Sequence, residues 1–352
     1  MKSIEHFLKK QVRGGKTPSV QYAFFNTDEV IFELSYGSKN VKRNLPVDAS
    51  TTYSIFSVTK TFTAVAVLQL AQAGMIDLDK LTASYLPQFP YPGEITVRQL
   101  LSHTAGIPNP IPLKWIHLES EHDTFDGDRF FADIFSAYPK PVFPPGGNFK
   151  YSNLGYVILG QLIEKISGLT FEQYAQENIF DRCGVDAGGL GFRIDPDRHA
   201  TGYHRWWSLT NLLLGVLIDK NKFMGPREGP WKPFKNFYNN GVAYGGIVGT
   251  VSGLVAYARA LLDNKSLLLN DQYRQQLFTE GYIKSRPTGM SLSWFTGSLK
   301  GRRYFAHAGG GGGYYVELRL YPDHGLGSVI MYNRSGMRDE SMLDRIDPFL
   351  LS

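Results

Sequence analysis

The stretch YSIFSVTKTFTAVAVLQLAQAG, residues 53–74, is apolar, has the character of a helix and contains a single charge. Its lysine, Lys60, is the only charged residue between Asp48 and Asp77, in a chain that is 20% charged overall. Burying an ammonium is costly, so an isolated lysine in such a run indicates either a partner or a chemical task. Ser57 lies three residues earlier, which puts its hydroxyl and the ammonium on one face of a helix.

Ser57 and Lys60 together predict a nucleophile with its general base. A serine is a poor nucleophile until a base takes its proton, and burial shifts a lysine toward the neutral form that such a base requires. If the helix begins at or near Ser57, its free N–H groups also face whatever the serine attacks. The alternative is a structural lysine that reaches the surface or has a structural partner, because Ser-x-x-Lys is common by chance.

The bulk composition describes an ordinary folded chain. Its 352 residues are 43% hydrophobic with a net charge of +5, which leaves room for one large domain or two lobes. The basic residues are scattered, so a nucleic-acid or membrane partner has little support. Cys183 is the single cysteine, which excludes an internal disulfide. No signal-peptide core or membrane-spanning run is visible, which predicts a cytoplasmic protein if the N-terminus is native.

Strand-like segments lie at both ends of the sequence, with helix-like segments between them. Residues 20–36 are typical of a hairpin around a turn at 26–28, and β-branched and aromatic runs return after about residue 290. We therefore predict an α+β fold. In it, one antiparallel sheet is built from both termini and flanked by helices, with an inserted helical lobe.

The whole chain, 1–352, is predicted to be a single domain with two lobes. The α/β lobe takes about 1–55 plus 285–352, and the helical lobe about 56–284. Two long stretches, 108–150 and 185–250, lack strong periodicity. Such stretches usually wall a binding site or cover a core.

Several helix ends can be placed from local signals. One helix is predicted to start near Thr96 and to stop at Gly106, and another to cover 153–168 and end at its glycine. A capping box at 170–173 predicts the start of the next helix. A further helix over 252–264 is predicted to begin at an N-cap serine, Ser252.

Two other segments carry candidate functional groups. In PPGGNFKYSNLGY, residues 144–156, a Pro-Gly turn delivers Tyr151, Ser152 and Asn153 to the start of a helix, where helix capping and wall packing are the alternative roles. In HAGGGGGYY, residues 307–315, five glycines follow a strand and leave room for a ligand or another segment. Such a strand can also aim N–H groups at an oxyanion, and a flexible hairpin loop is the alternative.

Three short motifs occur in the order and rough spacing of one enzyme superfamily: SVTK at 57–60, YSN at 151–153 and HAG at 307–309. The sequence resembles the serine β-lactamases and penicillin-binding proteins, whose class A motifs are S-x-x-K, S-D-N and K-T-G. Tyr-x-Asn at the second position resembles the class C branch, with its family VIII carboxylesterases and D-aminopeptidase-like relatives. Further phrases that resemble this branch are LLSHTAGIP at 100–108, YGGIVGTVSGL at 244–254 and GLGSVIMYNRSG at 325–336.

The resemblance implies that the α+β fold is of the β-lactamase/transpeptidase-like kind. It also implies a role for each matching residue. Ser57 would be the acylated nucleophile, with Lys60 and Tyr151 as the proton-relay pair. Asn153 would hydrogen-bond the substrate or Lys60, and the backbone N–H groups of Ser57 and Gly310 would form the oxyanion hole. The mechanism implied needs neither a metal nor an organic cofactor. Which of Lys60 and Tyr151 takes the first proton stays open, because coupled groups titrate as a unit.

His307 departs from the lysine that β-lactamases and DD-peptidases carry at this position. A histidine is mostly neutral at pH 7, whereas a lysine is a constant positive charge suited to a carboxylate. We therefore expect a serine hydrolase that acts on neutral substrates, as a carboxylesterase on small acyl esters. A β-lactamase, a D-amino-acid or DD-peptidase, an acyl transferase and a catalytically silent binding protein remain alternatives.

The partner expected is a small ester or amide molecule, without nucleic acid or a membrane span, and the oligomeric state stays open. The same model predicts that Lys60 is largely buried and within hydrogen-bond reach of Ser57 and Tyr151. Other candidates are weaker. Residues 117–123, HLESEHD, are interpreted as a solvated loop rather than a metal site. His103 is expected to hydrogen-bond around a helix end, and Trp206 and Trp207 to form an acyl-binding wall, a lid or plain core packing.

Overall fold

The computed structural model describes residues 2–207, 218–263, 265–335 and 341–351. The strands of these ranges are, in chain order, Ser19–Asn26 (β1), Val30–Asn40 (β2), Leu45–Pro46 (β3), Tyr53–Ser54 (β4), Ile116–Leu118 (β5), Leu190–Gly191 (β6), Tyr203–Arg205 (β7), Trp231–Pro233 (β8), Phe237–Asn239 (β9), Val248–Gly249 (β10), Tyr282–Ile283 (β11), Arg286–Pro287 (β12), Phe295–Leu299 (β13), Arg302–Gly311 (β14), Tyr314–Tyr321 (β15) and Leu326–Tyr332 (β16).

The α-helices of the same ranges are Lys2–Arg13 (α1), Thr59–Gln72 (α2), Val97–Leu101 (α3), Gly127–Ala137 (α4), Asn153–Ser167 (α5), Phe171–Ala175 (α6), Lys220–Phe223 (α7), Val242–Gly245 (α8), Val251–Leu262 (α9) and Asp271–Leu277 (α10). None of the helices in the described ranges is both long enough and apolar enough to cross a membrane.

A seven-stranded antiparallel sheet takes strands from both ends of the chain. Its spatial order is β13-β14-β15-β16-β1-β2-β3. The N-terminal hairpin of β1 and β2 joins the C-terminal strands through β1 and β16, where Val20 pairs with Tyr332. The predicted α+β class, with one antiparallel sheet built from both termini, is therefore confirmed.

Strand β1 lies inside this sheet and is apolar on both of its faces. Ser19 to Phe25 are all buried, because each face of the sheet is covered by other elements. Ile4 and Leu8 of α1 pack against one face together with the C-terminal residues, and α9 packs against the other. The second face is the side on which the helical part of the chain lies.

Helix α2 forms the centre of that helical part. Every residue from Thr59 to Ala71 is buried, which explains why the opening stretch of the sequence is apolar all round. A short 3₁₀ turn, Phe56–Val58, precedes the helix, so Ser57 lies just before its first residue, close to the predicted start.

Three of the predicted helix ends, at Thr96, Gly168 and Thr170, are confirmed, and two are wrong. Helix α5 ends at Gly168, which has a left-handed conformation, and the box at Thr170 caps α6. Helix α3 stops at Leu101 rather than Gly106, because the chain turns at Ser102 into an irregular segment. The cap of α9 is Thr250 rather than Ser252, since the Thr250 side chain accepts from the Gly253 N–H.

Candidate active site

The candidate nucleophile lies on the 3₁₀ turn between β4 and α2. Ser57 follows Phe56, whose φ of +47° is a left-handed conformation that non-glycine residues rarely adopt. The Phe56 ring holds this turn by packing against Phe237 and Tyr314, with ring centroids 6.3 and 6.1 Å apart. The aromatic contacts thus stabilise a backbone geometry that presents Ser57 to the cavity described below.

Lys60 lies three residues after Ser57, nearly one helical turn, and is fully buried. Its Nζ is 3.0 Å from Ser57 Oγ and donates to the Tyr244 carbonyl oxygen at 2.9 Å. Burial holds the pKa of Lys60 well below its ordinary value, because no water solvates the ammonium. The burial of Lys60 and its reach to Ser57 are therefore as predicted.

The Lys60 amine is surrounded by aromatic rings, whereas in an ion pair a carboxylate would lie beside it. The distances from Nζ to the ring centroids are 5.0 Å for Tyr151, 5.2 Å for Tyr244 and 5.6 Å for Tyr156. These ring faces favour a positive charge far less than an anion does. The surroundings therefore keep the amine available as a base, and the expected hydrogen bond from Lys60 to Tyr151 stays a prediction.

Tyr151 enters the site from the turn before α5, and Ser152 caps that helix by accepting from the Gly155 N–H. The Tyr151 hydroxyl lies 3.3 Å from Nε2 of His307. Both functions considered for this segment, capping and presentation of the tyrosine, occur side by side.

His307 is buried, and its two ring nitrogens have different partners. Nδ1 lies 2.5 Å from the carbonyl oxygen of Ser293. A carbonyl oxygen only accepts, so Nδ1 carries the proton and Nε2 accepts from the Tyr151 hydroxyl. Burial first, and the Lys60 charge second, lower the pKa of His307 to about 3. The imidazole is therefore neutral over the whole physiological range.

Asn153 is held by a residue that the sequence analysis did not single out. Its backbone N–H and its side-chain amide both donate to the Asn109 side-chain oxygen, at 3.0 and 3.1 Å. Asn153 itself lines the cavity described below. Asn109 lies between two prolines in the sequence, a turn signal that pointed to a loop but not to a role in the site.

The glycines after His307 belong to a strand rather than to a flexible loop. Strand β14 continues to Gly311, and β15 follows after two residues. A Cβ on Gly309 would lie 2.1 Å from the Ile55 carbonyl oxygen and 2.9 Å from Ser57 N. The absence of a side chain at Gly309 is therefore what lets β14 pass against the nucleophile turn.

Gly310 lies on β14, and its role as an oxyanion-hole donor stays a prediction. The pair of β14 and β15 is closed by a two-residue turn, so its hydrogen-bonded and non-hydrogen-bonded positions alternate from Gly311. Gly310 falls at a non-hydrogen-bonded position, so its N–H points away from β15. It lies on the other edge of β14, beyond Phe295 and Ala306, where the pairing with β13 ends. Ser57 and Gly310 both line the cavity.

The site opens into a cavity of about 920 Å³. Both irregular stretches, 108–150 and 185–250, contribute to its wall, as predicted. Its apolar lining residues are Phe56, Pro112, Ile116, Ile218, Phe234, Phe237, Phe295 and Tyr314. Such a wall suits an apolar acyl or alcohol group.

The weaker candidates of the sequence have structural roles. His103 is buried, and its Nδ1 accepts from the Ser152 N–H at 3.1 Å, as expected of a residue near a helix end. The solvated loop predicted at 117–123 is wrong. The error concerns its first residue: His117 is buried on β5, and its Nε2 lies 2.9 Å from Nδ1 of His122, whereas Ser120 and Asp123 are exposed.

The structure decides between the roles considered for Trp206 and Trp207 only in part. Trp207 is 83% exposed, which excludes plain core packing for this side chain. The apolar run that follows it, residues 208–217, lies outside the described residues, while Ile218 lines the cavity.

Comparisons with known proteins find a matching family model, similar sequences and similar solved structures. The family model described as Beta-lactamase matches residues 4–349. Penicillin-binding protein 4* of Bacillus subtilis is 25% identical over 317 residues, which cover 87% of this chain and 66% of that protein. Protein flp of Staphylococcus aureus is 31% identical over 182 residues, covering 50% of this chain and 34% of that one. The chain thus spans less than two thirds of either relative.

Among solved structures, the D-amino acid amidase from Ochrobactrum anthropi SV3 has the same fold. It superimposes with a TM-score of 0.80 at 20% sequence identity, covering 99% of this chain and 98% of the amidase. The family model covers nearly the whole sequence, and the fold and the three motifs agree with it. The chain therefore belongs to the Beta-lactamase family of β-lactamase- and penicillin-binding-protein-like serine hydrolases.

Proposed function

We propose that this protein is a carboxylesterase that cleaves neutral esters through an acyl-enzyme on Ser57. The observation that carries the proposal is the buried, neutral His307 at the position where relatives that bind carboxylates place a lysine. The next residue, Ala308, also lacks the hydroxyl of the K-T-G motif. A substrate carboxylate would meet neither a cation nor a hydroxyl donor from these two side chains.

The cavity wall supports a neutral substrate as well. Among the described residues that line it, the charged ones are Glu317 and Arg319, which pair with each other at 2.8 Å. A β-lactam or a peptide C-terminus brings a carboxylate, and a D-amino-acid amide brings an ammonium. Each would need an opposite charge that is not already paired.

In the proposed acylation step, the neutral Lys60 amine takes the Ser57 proton while Oγ attacks the ester carbonyl. The backbone N–H groups of Ser57 and Gly310 stabilise the oxyanion. The Lys60 ammonium then gives its proton to the leaving alkoxide, which departs as the alcohol. In deacylation the amine takes a proton from water, whose oxygen attacks the acyl carbon, and returns that proton to Ser57 Oγ.

The geometry favours Lys60 over Tyr151 as the first base. The Tyr151 hydroxyl donates to His307 Nε2, whereas a phenolate would face the lone pair of that nitrogen. A positively charged lysine at position 307 would instead stabilise a phenolate. We therefore assign Tyr151 a positioning role beside Lys60, with His307 holding its hydroxyl in place.

The test compares substrate classes on one enzyme preparation. Hydrolysis of p-nitrophenyl butyrate, a chromogenic cephalosporin and D-phenylalanine p-nitroanilide is measured with the wild type and with Ser57→Ala. We expect kcat/KM to be highest for the ester and to vanish in the variant. A higher value for the cephalosporin or the anilide would refute the esterase assignment, and no labelling of Ser57 by a fluorophosphonate would refute an enzyme of any kind.

His307→Lys is the matched variant for the substrate preference. Introducing the cation should raise the ratio of cephalosporin to ester kcat/KM by at least about tenfold, equal to about 1.4 kcal/mol. An unchanged ratio would show that His307 does not decide the preference.

A further inference from the structure

His103 lies behind the candidate active site and takes no part in the acylation step proposed above. It is 2% exposed, and the cavity lining formed by the described residues includes Tyr151 but not His103. Its φ of +56° is a left-handed conformation that non-glycine residues rarely adopt. Such a backbone conformation persists only where the surrounding structure holds it, so the contacts of His103 indicate what it does.

His103 binds the backbone on both sides of Tyr151. Its carbonyl oxygen accepts from the Lys150 N–H at 2.9 Å, and its Nδ1 accepts from the Ser152 N–H at 3.1 Å. Burial holds the pKa of His103 well below its ordinary value, so the imidazole is neutral and its proton lies on Nε2. The same residue therefore fixes the chain immediately before and immediately after the tyrosine.

The imidazole also packs against the tyrosine ring itself. The ring centroids of His103 and Tyr151 are 4.4 Å apart, with an angle of 33° between the ring planes. Tyr156, which is fully buried, lies 5.0 Å from the same imidazole. Side chains buried in this way are confined by close packing, so His103 offers the Tyr151 ring a fixed surface.

The position of Tyr151 decides two contacts of the site. Its ring centroid lies 5.0 Å from Lys60 Nζ, and its hydroxyl lies 3.3 Å from His307 Nε2. A tyrosine side chain turns about two torsions, and a turn about the first would carry the ring away from the amine. Keeping both contacts therefore requires a group that fixes the backbone and the ring of Tyr151 together.

We propose that His103 is the positioning residue of Tyr151, which it holds over the Lys60 amine by two backbone hydrogen bonds and a ring contact. The inference rests on the proposed function, because it concerns the nucleophilic attack by Ser57 that Lys60 assists. The contributions come from different parts of His103: Nδ1 fixes the backbone after the tyrosine, and the imidazole face fixes its ring. A displacement of about 1 Å in an active site can cost about a hundredfold in rate, so either loss should be measurable.

The test measures how fast a fluorophosphonate labels Ser57, which reports nucleophilic attack whatever substrate the enzyme prefers. His103→Asn keeps a side-chain acceptor and tolerates the left-handed φ, but it removes the ring. His103→Phe keeps a ring and removes the acceptor. We expect each variant to slow labelling at least about tenfold. In a Tyr151→Ala background, where no ring is left to position, His103→Asn should slow it less than about twofold.

His117→Asn is the matched control, since His117 is also buried and packs against aromatic rings, those of Phe125 and Tyr238. It should label at nearly the wild-type rate, and thermal unfolding confirms that every variant is folded. The inference is overturned if His103→Asn labels as fast as the wild type or no more slowly than the control, or if it slows labelling equally with and without the Tyr151 ring. A labelled wild type that prefers a cephalosporin or an anilide refutes the esterase assignment alone, whereas an unlabelled wild type overturns both.

Discussion

Two cations are buried in the described part of the chain, one on each side of the sheet, and their surroundings differ. Arg319 on β15 is 1% exposed and pairs with Glu317 at 2.8 Å and with Asp344 at 2.7 Å. Lys60 is 0% exposed, and its described polar contacts are a hydroxyl and a carbonyl, both neutral. Carboxylates raise the pKa of Arg319 despite its burial, while burial alone lowers that of Lys60.

The difference separates a structural cation from a chemical one. The network around Arg319 ties the C-terminal residues to the sheet, since Glu317 also accepts from the Leu343 N–H at 3.1 Å. A cation satisfied in this way keeps its proton. An amine buried without an anion gives its proton up, which costs stability and supplies a base.

Replacing Lys60 should have the largest effect, and it should fall on catalysis. Lys60→Met removes the base while filling the same space with apolar atoms, so kcat/KM for an ester should fall about 10³-fold. The free energy of unfolding in urea should stay equal or rise, because no buried amine remains to be desolvated. A clearly destabilised variant would mean that Lys60 has a structural role like that of Arg319.

Replacing Arg319 should instead fall on stability. Arg319→Met leaves Glu317 and Asp344 without their cation, so the free energy of unfolding should drop by about 3–5 kcal/mol. The double variant Glu317→Gln/Arg319→Met should recover part of that loss, because one of the stranded carboxylates is gone. Urea titration of the wild type and the two variants measures both values, and equal stability of all three would contradict the paired-cation interpretation.

The smallest effect concerns His307, a second base buried without an anion. Its pKa is about 3 in the folded protein against an ordinary 6.5, so the unfolded chain binds the proton more readily. Stability should therefore fall as the pH drops from about 6.5 toward 3. Between pH 7 and pH 4, His307→Gln should lose about 3 kcal/mol less than the wild type in urea unfolding. Identical losses would show that the imidazole is not desolvated.

His199 and His204 remain in both proteins, with their own pKa values lowered by burial to about 4. They make stability depend more steeply on pH in both proteins. Because distant, independent sites contribute additively, their effect cancels in the difference between the wild type and His307→Gln.

The features that the sequence analysis predicted well are those with local causes. The hairpin of β1 and β2, the glycine after α5 and the capping box before α6 follow from neighbouring side chains and turns. Ser57 and Lys60 are three residues apart, so helical geometry alone brings them together.

The features that were missed depend on distant backbone. The acceptor for Lys60 is the carbonyl of Tyr244, and the group that orients His307 is the carbonyl of Ser293, which no side-chain pattern announces. The strand conformation of the glycines after His307 follows from pairing with β15 rather than from their own preference. Residues 117–123 were interpreted as solvated because the cover supplied by β9 lies over 100 residues away.

The contact between Gly309 and the nucleophile turn also bears on how this gene can change. Every missense change of a glycine codon by a single nucleotide introduces a residue with a Cβ. At position 309 that atom would collide with the backbone at Ile55 and Ser57. No single-nucleotide missense change at this codon is therefore expected to be neutral. The residue at position 309 can change only together with the backbone path around Ser57.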